Sequence, residues 1–228
     1  MLTYEKQALS GTIEVLLRSE LPDEFEGTKL YGSLEEDELR QDCKIFRLSN
    51  ETGHGRITVY QVFSGIELYY NDMHMGYCNQ NQATAKNMIE INHCLIGRFE
   101  CSFGENSCCY MAEGDLSISS MMKKKSNSCF PLNHYHGISI VINLDELLPE
   151  VRQIMELLNI DLHYIQKYIC EGNRCCIMRV NPSIEHIFSE LYHVREKRKP
   201  GYMKVKMLEL LLFLSDLNTA EEVLQTDY

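Results

Sequence analysis

The sequence lacks the long apolar runs that a membrane-spanning helix needs. Its densest apolar run, Leu208–Leu214, is interrupted by Glu209, whereas a span needs about 18 or more consecutive apolar residues. The first residues also lack the basic segment and the following apolar segment that form a secretory signal. We therefore expect a cytoplasmic protein that does not contact a membrane.

The short motifs by which many enzymes are recognised are also missing. The sequence contains no Gly-x-Ser-x-Gly, no phosphate-binding glycine loop and no His-Glu-x-x-His. Single cysteines and histidines are too frequent here to indicate a nucleophile and its base. We therefore expect a protein that is not an enzyme, with no catalytic residues and no cofactor.

Basic segments are scarce as well. The formal net charge is −11 at pH 7, and the one lysine run is Lys123–Lys125, in a loop-like stretch. DNA-binding modules carry a basic face or helix. Three lysines in a loop are typical of a solvated turn, although they could also hold a phosphate. We expect that these residues do not bind DNA by themselves.

Cysteine is abundant, but its spacing does not indicate a metal site. None of the ten cysteines forms a Cys-x-x-Cys pair, and the two Cys-Cys dipeptides are poor chelators of one tetrahedral ion. In a reducing compartment, cysteine packs as a small core residue. Reduced core thiols are the favoured interpretation, and redox sensing or zinc binding are the alternatives.

The periodicity of apolar residues divides the chain into three parts and predicts an α+β fold. Residues 1–55 have a weak pattern and form a partly irregular segment. Residues 56–144 contain short β-branched and aromatic runs separated by glycine turns, which is typical of a barrel or a sandwich. Residues 145–228 have the 3.6-residue period of helices.

Within the helical part, several residues mark where helices begin. Asp145 is well placed to cap the first helix, and Asn181-Pro182-Ser183 opens a later one, with proline in its tolerated position. Pro200-Gly201 is a tight connection to the last helix. Two helices joined by so short a link are expected to pack as an antiparallel hairpin.

The last helix is apolar almost all round, so it must be covered on more than one side. Either a second subunit covers part of it, or the helix is buried wholly within one chain. We favour a homodimer and predict that its contacts involve Leu208, Leu211, Leu212 and Leu214.

Several segments resemble the N-terminal region of AraC-type (AraC/XylS) bacterial transcription regulators. They are GRITVYQVFSGIELYYNDMH, IEINHCLIGRFEC, EGDLSIS and HYHGISIVINLDE. The later segment PSIEHIFSELYHVREKRKPGYMKVKMLELLLFLSDL resembles the helical part of one bacterial branch of that family. The similarity covers roughly residues 50–217.

This resemblance implies a cupin-like antiparallel β-barrel over residues 56–144 that binds a small-molecule effector. Residues 145–228 are then a helical dimerisation region, and 1–55 an N-terminal segment. Complete members continue into two helix-turn-helix units that enter the DNA major groove. The sequence stops at Tyr228, near where those units would begin, so we expect DNA contact only through a C-terminal domain absent from this chain. A metal-dependent cupin enzyme and a ligand-free dimerisation module are the alternatives.

His134 and His136 are the sharpest candidates for the binding site. Two residues apart on a strand, both side chains lie on the face of Ile138 and Ile140. Metal-binding cupins use such a His-x-His, normally with a glutamate a few residues later, and this sequence lacks that glutamate. A polar ligand-binding patch, a mononuclear metal site and buried histidines satisfied by backbone groups are all compatible with the pattern. We expect ligand binding and no metal.

Four further residues complete the predicted ligand-binding set. Arg98 could pair with a carboxylate effector, or with Glu90 or Glu100 across strands. Aromatic residues on strands either line a pocket or belong to the core. The remaining predicted residues are His93, Tyr60 and Tyr70.

Overall fold

A computed structural model of the chain describes residues 35–39, 43–78, 87–103, 107–120, 125–169, 175–194 and 199–216. The strands are β1 (Glu35–Leu39), β2 (Lys44–Asn50), β3 (Gly53–Phe63), β4 (Ile66–His74), β5 (Tyr77–Cys78), β6 (Met88–Phe103), β7 (Ser107–Ala112), β8 (Asp115–Ser120), β9 (Lys125–Cys129), β10 (Tyr135–Asn143) and β11 (Cys175–Arg179). The helices are α1 (Pro149–Leu157), α2 (Leu162–Tyr164, continued by a π-helical turn over Ile165–Ile169), α3 (Pro182–His193) and α4 (Lys199–Ser215).

All strand pairs are antiparallel and form two layers that share strand β6. The larger layer has the order β1-β2-β3-β4-β10-β6-β8-β11, and the smaller layer contains β7, β9 and β5. The first half of β6 pairs with β10 and β8, and its second half pairs with β7 and β9. Gly97 lies between the two halves with φ of +94°. A Cβ there would lie 2.1 Å from the His134 carbonyl oxygen, so only glycine fits this bend.

The predicted antiparallel β architecture followed by helices is confirmed, but the barrel is not closed. Within the described residues, β1 and β11 are the ends of the larger layer and do not pair with each other. The two layers are connected through the long bent strand β6 instead. Edge closure depends on strand tilt and stagger, which a pattern of alternating residues does not specify.

The larger layer is buried on both faces, and each candidate site residue on it lies on one face or the other. Its outer face carries Ile138, Ile140 and Ile142, which pack in one core with residues of the helices. Its inner face carries Tyr135 and Val141, which pack against the smaller layer in a second core. Burial of each of these isoleucine side chains contributes roughly 1.5–3 kcal/mol to the stability of the fold. This burial holds the helices on the outer face.

Helices α3 and α4 contact each other through side chains whose order runs in opposite directions along the two helices. His186 Nε2 lies 3.0 Å from Glu209 Oε1, and Lys206 Nζ lies 2.5 Å from Glu190 Oε2. Helix α3 begins as predicted, because the Asn181 side chain accepts a hydrogen bond from the Ile184 amide at 3.2 Å. Among the described helices, none is both long and apolar enough to cross a bilayer.

Helix α1 begins later than the sequence predicts. Its N-cap is Leu148, without a side-chain cap, and Pro149 occupies the first turn. Asp145 instead accepts a hydrogen bond from Asn87 Nδ2 at 2.9 Å. Proline fixes the backbone of the first turn, which explains why the helix starts there and leaves Asp145 to pair with a neighbouring segment.

The strands extend beyond the predicted boundaries of 56 and 144. Strands β1 and β2 and the first residues of β3 precede Arg56, and β11 lies inside the region 145–228 that was predicted to be helical. Strand β2 pairs with β3 as a hairpin that turns at residues 51–52, whereas the edge strand β11 pairs with β8 across a long stretch of sequence. The short sequence of β11 does not encode that pairing. Residues 1–34 of the weakly patterned N-terminal segment and the lysines Lys123 and Lys124 lie outside the described residues.

Candidate functional site

The predicted ligand-binding histidine His93 lies under a helix and not inside the sheet layers. Its ring stacks on Phe188 of α3, with centroids 4.1 Å apart and planes inclined by 7°. Its Nδ1 is buried and has no hydrogen-bond partner among the residues that the structure describes. Burial lowers the pKa of His93 to about 4, so the ring is neutral near pH 7 and contributes a flat apolar surface to the helix contact.

Tyr60 and Tyr70 occupy the same helix-covered face. The Tyr70 hydroxyl donates to the Leu191 carbonyl at 2.7 Å. The Lys199 ammonium group lies 4.5 Å from the centroid of the Tyr60 ring. Both tyrosines therefore connect the sheet to α3 and α4, and their role in lining an effector pocket stays a prediction.

Arg98 is exposed and forms a local ion pair. Its Nε lies 3.0 Å from Glu100 Oε1, and Glu100 is two residues further along the same strand, β6. The guanidinium carbon also lies 6.0 Å from the centroid of the Tyr110 ring. The structure supports the structural ion pair and does not place Arg98 in a pocket.

The four predicted dimerisation leucines divide into two groups. Leu211 and Leu214 are fully buried in the chain's own core, so they are not available to a second subunit and the prediction is corrected for both. Leu208 is half-buried, and Leu212 is 37% exposed. Together with the exposed Val205, these two form a stripe along α4 at helical spacing.

His134 and His136 lie on the outer face, at one end of the larger layer. The structure adds His74 from β4 to them, and the nearest ring nitrogens of the three residues all lie within 4.8 Å of one another. Asp72 Oδ1 lies 3.0 Å from His74 Nε2 and 3.2 Å from His136 Nε2. We call His74, His134 and His136 the histidine cluster. It does not face the space between the two layers.

Burial lowers the pKa of His136, and the neighbouring His134, His74 and Arg56 lower it further, whereas Asp72 acts in the opposite direction. His136 is therefore biased towards the neutral imidazole. A neutral imidazole can accept a hydrogen bond or bind a metal ion. The cluster, which includes the predicted ligand-binding residues His134 and His136, is therefore a candidate site outside the space between the two layers.

The structure reveals a second candidate, which the sequence analysis missed, on the inner face of the larger layer. Seven polar side chains there are only 1% to 5% exposed, and the half-buried Glu67 joins them. We call this set the inner polar face; it consists of Lys44, Glu67, Asn71, Glu90, Asn92, Ser117, Ser119 and Ser139.

The pairing register places these side chains side by side. Residues directly opposite on neighbouring strands share a face. One row of opposite positions across β2, β3, β4, β10, β6, β8 and β11 is Lys44, Val59, Tyr69, Ser139, Asn92, Ser117 and Ile177. The adjacent row across β4, β10, β6 and β8 is Glu67, Val141, Glu90 and Ser119.

Part of this polar set is connected by hydrogen bonds and charge. Asn71 Nδ2 donates to Ser139 Oγ at 2.8 Å, and the Tyr69 hydroxyl donates to Glu67 Oε2 at 2.5 Å. Burial raises the pKa of Glu67, whereas its hydrogen bond with Tyr69 and the charge of Lys44 lower it. The Ser117 hydroxyl is buried beside the Cys109 thiol.

The inner face is polar at one end and filled by aromatic rings at the other. Phe130 and Tyr135 stack with centroids 5.4 Å apart, and Phe99 lies 5.6 Å from Tyr135. Buried polar side chains are costly unless they find partners. The inner face thus combines a polar region with an apolar one, the two kinds of surface that line ligand sites.

An open cleft lies elsewhere, between the end of β10 and helices α1 and α2. Its volume is about 420 Å³, and Leu147, Met155 and His163 are among its lining residues. Arg152 at this cleft donates from Nε to the Leu147 carbonyl at 3.1 Å and also contacts the Leu144 carbonyl. Its guanidinium is thus already bound to backbone groups.

Six of the nine cysteines that the structure describes are buried. Burial raises the pKa of Cys78, Cys94 and Cys176 to about 12. These thiols therefore stay protonated near neutral pH, and a protonated thiol is a poor nucleophile and a poor metal ligand. They act here as core residues.

No family model matches the chain, and no curated protein matches its sequence. Solved structures similar to it include the AraC-like transcriptional activator CuxR, with 8% identity and a TM-score of 0.44 over 81% of this chain and 64% of CuxR. ToxT from Vibrio cholerae has 12% identity and a TM-score of 0.39 over 62% of this chain and 52% of ToxT. A cupin 2 conserved barrel domain protein from Salinispora arenicola has 14% identity and a TM-score of 0.33 over 53% of this chain and 90% of that protein.

The chain thus spans less than two thirds of the length of the two AraC-like proteins. All three TM-scores are low, so the function proposed for this chain rests on its own residues.

Proposed function

We propose that this chain is the effector-sensing and dimerisation region of an AraC-type transcription regulator. The effector is a small polar molecule that binds on the inner polar face. The observation that carries the proposal is the set of seven polar side chains that are nearly fully buried on that face. The proposal assigns DNA contact to helix-turn-helix units outside this sequence, and it assigns no catalysis to the chain.

The chemistry of the inner polar face defines the class of effector. Lys44 can donate, Glu67 and Glu90 can accept, and Asn92 can do both. Three serine hydroxyls add short-range donors and acceptors. This combination suits a compact molecule with several hydroxyl or amide groups better than an apolar one, because such a molecule can exchange hydrogen bonds with the donors and acceptors of this face.

The strands that carry the inner polar face also carry the contacts to the helices. On β6, Asn92 faces inwards and the next residue, His93, stacks on Phe188 of α3. On β4, Asn71 faces inwards and the preceding residue, Tyr70, binds the Leu191 carbonyl. An effector that shifts β4 or β6 would therefore shift α3, and through the hairpin α4.

The proposed dimer contact is the exposed stripe of α4 formed by Val205, Leu208 and Leu212. A movement of α4 would then change how two subunits present their DNA-binding units. Such a switch requires that the effector bind the two arrangements with different affinity, because equal affinity shifts no equilibrium.

The experiment is a thermal-shift screen of small polar metabolites on the wild-type chain and on Asn92→Leu, which keeps most of the volume but removes the amide. An effector at a hundred times its Kd stabilises the folded state by about 2.7 kcal/mol. For a chain of this length, this raises Tm by roughly 5–10 °C. We expect at least one compound to raise the Tm of the wild type by this amount and to leave the Tm of Asn92→Leu unchanged.

The control variant is His163→Ala, which changes the open cleft beside α1 and not the inner face. A compound whose shift disappears in His163→Ala but persists in Asn92→Leu would place the binding site in the cleft and refute the proposal. A stable dimer that responds to no compound would favour the ligand-free dimerisation module.

A further inference from the structure

The histidine cluster brings together three imidazoles from two chain segments. His74 is the last residue of β4, whereas His134 precedes β10 and His136 is its second residue. The ring centroids are 4.8 Å apart for His74 and His134 and 4.7 Å apart for His134 and His136. Most of the surrounding outer face is covered by helices, but the cluster remains open to solvent, with His74 exposed and the other two half-buried.

The ring nitrogens are oriented towards two different partners. His74 Nδ1 faces His134 Nδ1 at 3.2 Å. On the other side, Nε2 of His74 and Nε2 of His136 both face Asp72 Oδ1. The Nε2 atoms of these two histidines thus face the carboxylate, whereas Nδ1 of His74 faces His134.

Asp72 supplies the negative charge beside the cluster. Its Oδ1 is buried, and although two histidine nitrogens lie close to it, none is aligned for a hydrogen bond. The Arg56 guanidinium lies 3.6 Å from Oδ2. A carboxylate that holds the far nitrogen of a metal-binding histidine fixes the orientation of the ring and raises its basicity.

We propose that His74, His134 and His136 bind one divalent transition-metal ion of the zinc type, with Asp72 as the carboxylate that orients two of the three rings. Three imidazoles are a donor set that suits zinc, nickel, copper and iron, and not magnesium or calcium. The site is separate from the inner polar face, because the two lie on opposite faces of the larger layer.

The observed spacing is close to that of a metal site. With zinc–nitrogen distances near 2.0–2.1 Å, two tetrahedral ligand nitrogens lie about 3.3 Å apart. The 3.2 Å separation of His74 Nδ1 and His134 Nδ1 already matches this value. The three ligand atoms all lie within 4.8 Å of one another, so binding one ion requires the third imidazole to move closer to the other two.

A bound ion would tie the end of β4 to the start of β10. The start of β10 lies next to the bend of β6, because Gly97 is the pairing partner of Tyr135. The ion would therefore hold the two strands together where β6 passes from one layer to the other. We expect it to stabilise the fold, because a ligand that binds only the folded state raises the free energy of unfolding.

The test uses the full chain purified without a histidine tag and stripped with a chelator. Co²⁺ is titrated in and its visible absorption recorded, and Zn²⁺ is then added in competition. We expect one Co²⁺ per chain, displaced by Zn²⁺, without the intense near-ultraviolet band that thiolate ligands give. This last readout separates the cluster from the ten cysteines.

Four variants define the site. His74→Gln and His134→Gln are expected to abolish saturable binding, and Asp72→Asn to weaken it by about 10-fold or more. His193→Gln is the matched control, because His193 is an exposed histidine at the end of α3 that bonds the Ser189 carbonyl; it should bind as the wild type does. Far-ultraviolet circular dichroism checks that each variant is folded.

Two results would overturn the proposal. One is a wild-type chain that takes up no Co²⁺ or Zn²⁺ at a one-to-one ratio. The other is stoichiometric binding that persists unchanged in folded His74→Gln and His134→Gln, which would place the ion elsewhere. Either result leaves the proposed effector site untouched, because none of these residues belongs to the inner polar face.

Discussion

The contact between His93 and Phe188 makes a specific prediction about stability at mildly acidic pH. His93 is 4% exposed, and burial lowers its pKa to about 4. In the unfolded chain a histidine has a pKa of about 6.5. Between these two values the unfolded chain binds a proton that the folded chain does not bind, so stability falls as the pH falls from about 6.5 towards 4.

The magnitude follows from the difference between the two pKa values. A difference of about 2.5 pKa units corresponds to a loss of roughly 3 kcal/mol in the free energy of unfolding once the pH lies below both pKa values. About 2 kcal/mol of this loss is already expected at pH 5, relative to pH 7. His93→Phe keeps a flat ring against Phe188 but cannot be protonated, so this part of the pH dependence should disappear.

The assay is urea unfolding of the wild type, His93→Phe and His193→Gln at pH 7 and pH 5. Carboxylates and other histidines also titrate, but they are common to all three proteins, so the differences isolate His93. The free energy of unfolding of His93→Phe should fall by about 2 kcal/mol less than that of the wild type, and His193→Gln should behave as the wild type. The same pH dependence in His93→Phe and the wild type would refute the assignment of a buried, neutral His93.

The remaining predictions concern α4 and the bend of β6. Leu211→Ala should lower the free energy of unfolding by about 2–5 kcal/mol in urea titrations, because Leu211 is fully buried. Leu212→Glu should instead leave the fold intact and weaken self-association in sedimentation equilibrium; an unchanged association constant would exclude the proposed α4 stripe. Gly97→Ala should lower the free energy of unfolding by more than about 2 kcal/mol, because Gly97 has a φ of +94° and an added Cβ would collide with the His134 carbonyl. A stable Gly97→Ala variant with unchanged Tm would contradict the bend as described.

The regular elements could be predicted because their signals are local. The alternation of Ile138, Ile140 and Ile142 predicts β10, and Asn181-Pro182 predicts the start of α3. Elements that depend on distant partners were missed. Strand β11 pairs with β8 across a long stretch of sequence, and its five residues carry no strong pattern of their own.

Alternation does not say which face of a strand lies between the two layers. It places His136 on the face of Ile138 and Ile140 but does not say whether that face is the inner one. In the structure that face is covered by helices, and the polar face with Ser139 is the inner one. A sheet that is covered on both sides has two buried faces, and only the positions of the helices distinguish one from the other.

A signal for the inner polar face was nevertheless present in the sequence. Glu90 and Asn92 alternate with apolar residues in β6, and Ser117 and Ser119 do so in β8. Each pair alone resembles an ordinary solvated face. Only the pairing register, which sets Asn92 opposite Ser117 and Ser139, shows that these polar positions form one buried surface.

The most direct test of the inner polar face is a crystal structure of the chain with a compound from the thermal-shift screen. We predict density for that compound between the two sheet layers, with polar contacts to Asn92, Ser117 or Ser139. Density in the cleft beside α1, or an inner face closed by protein side chains with the compound bound elsewhere, would contradict the proposed sensing role.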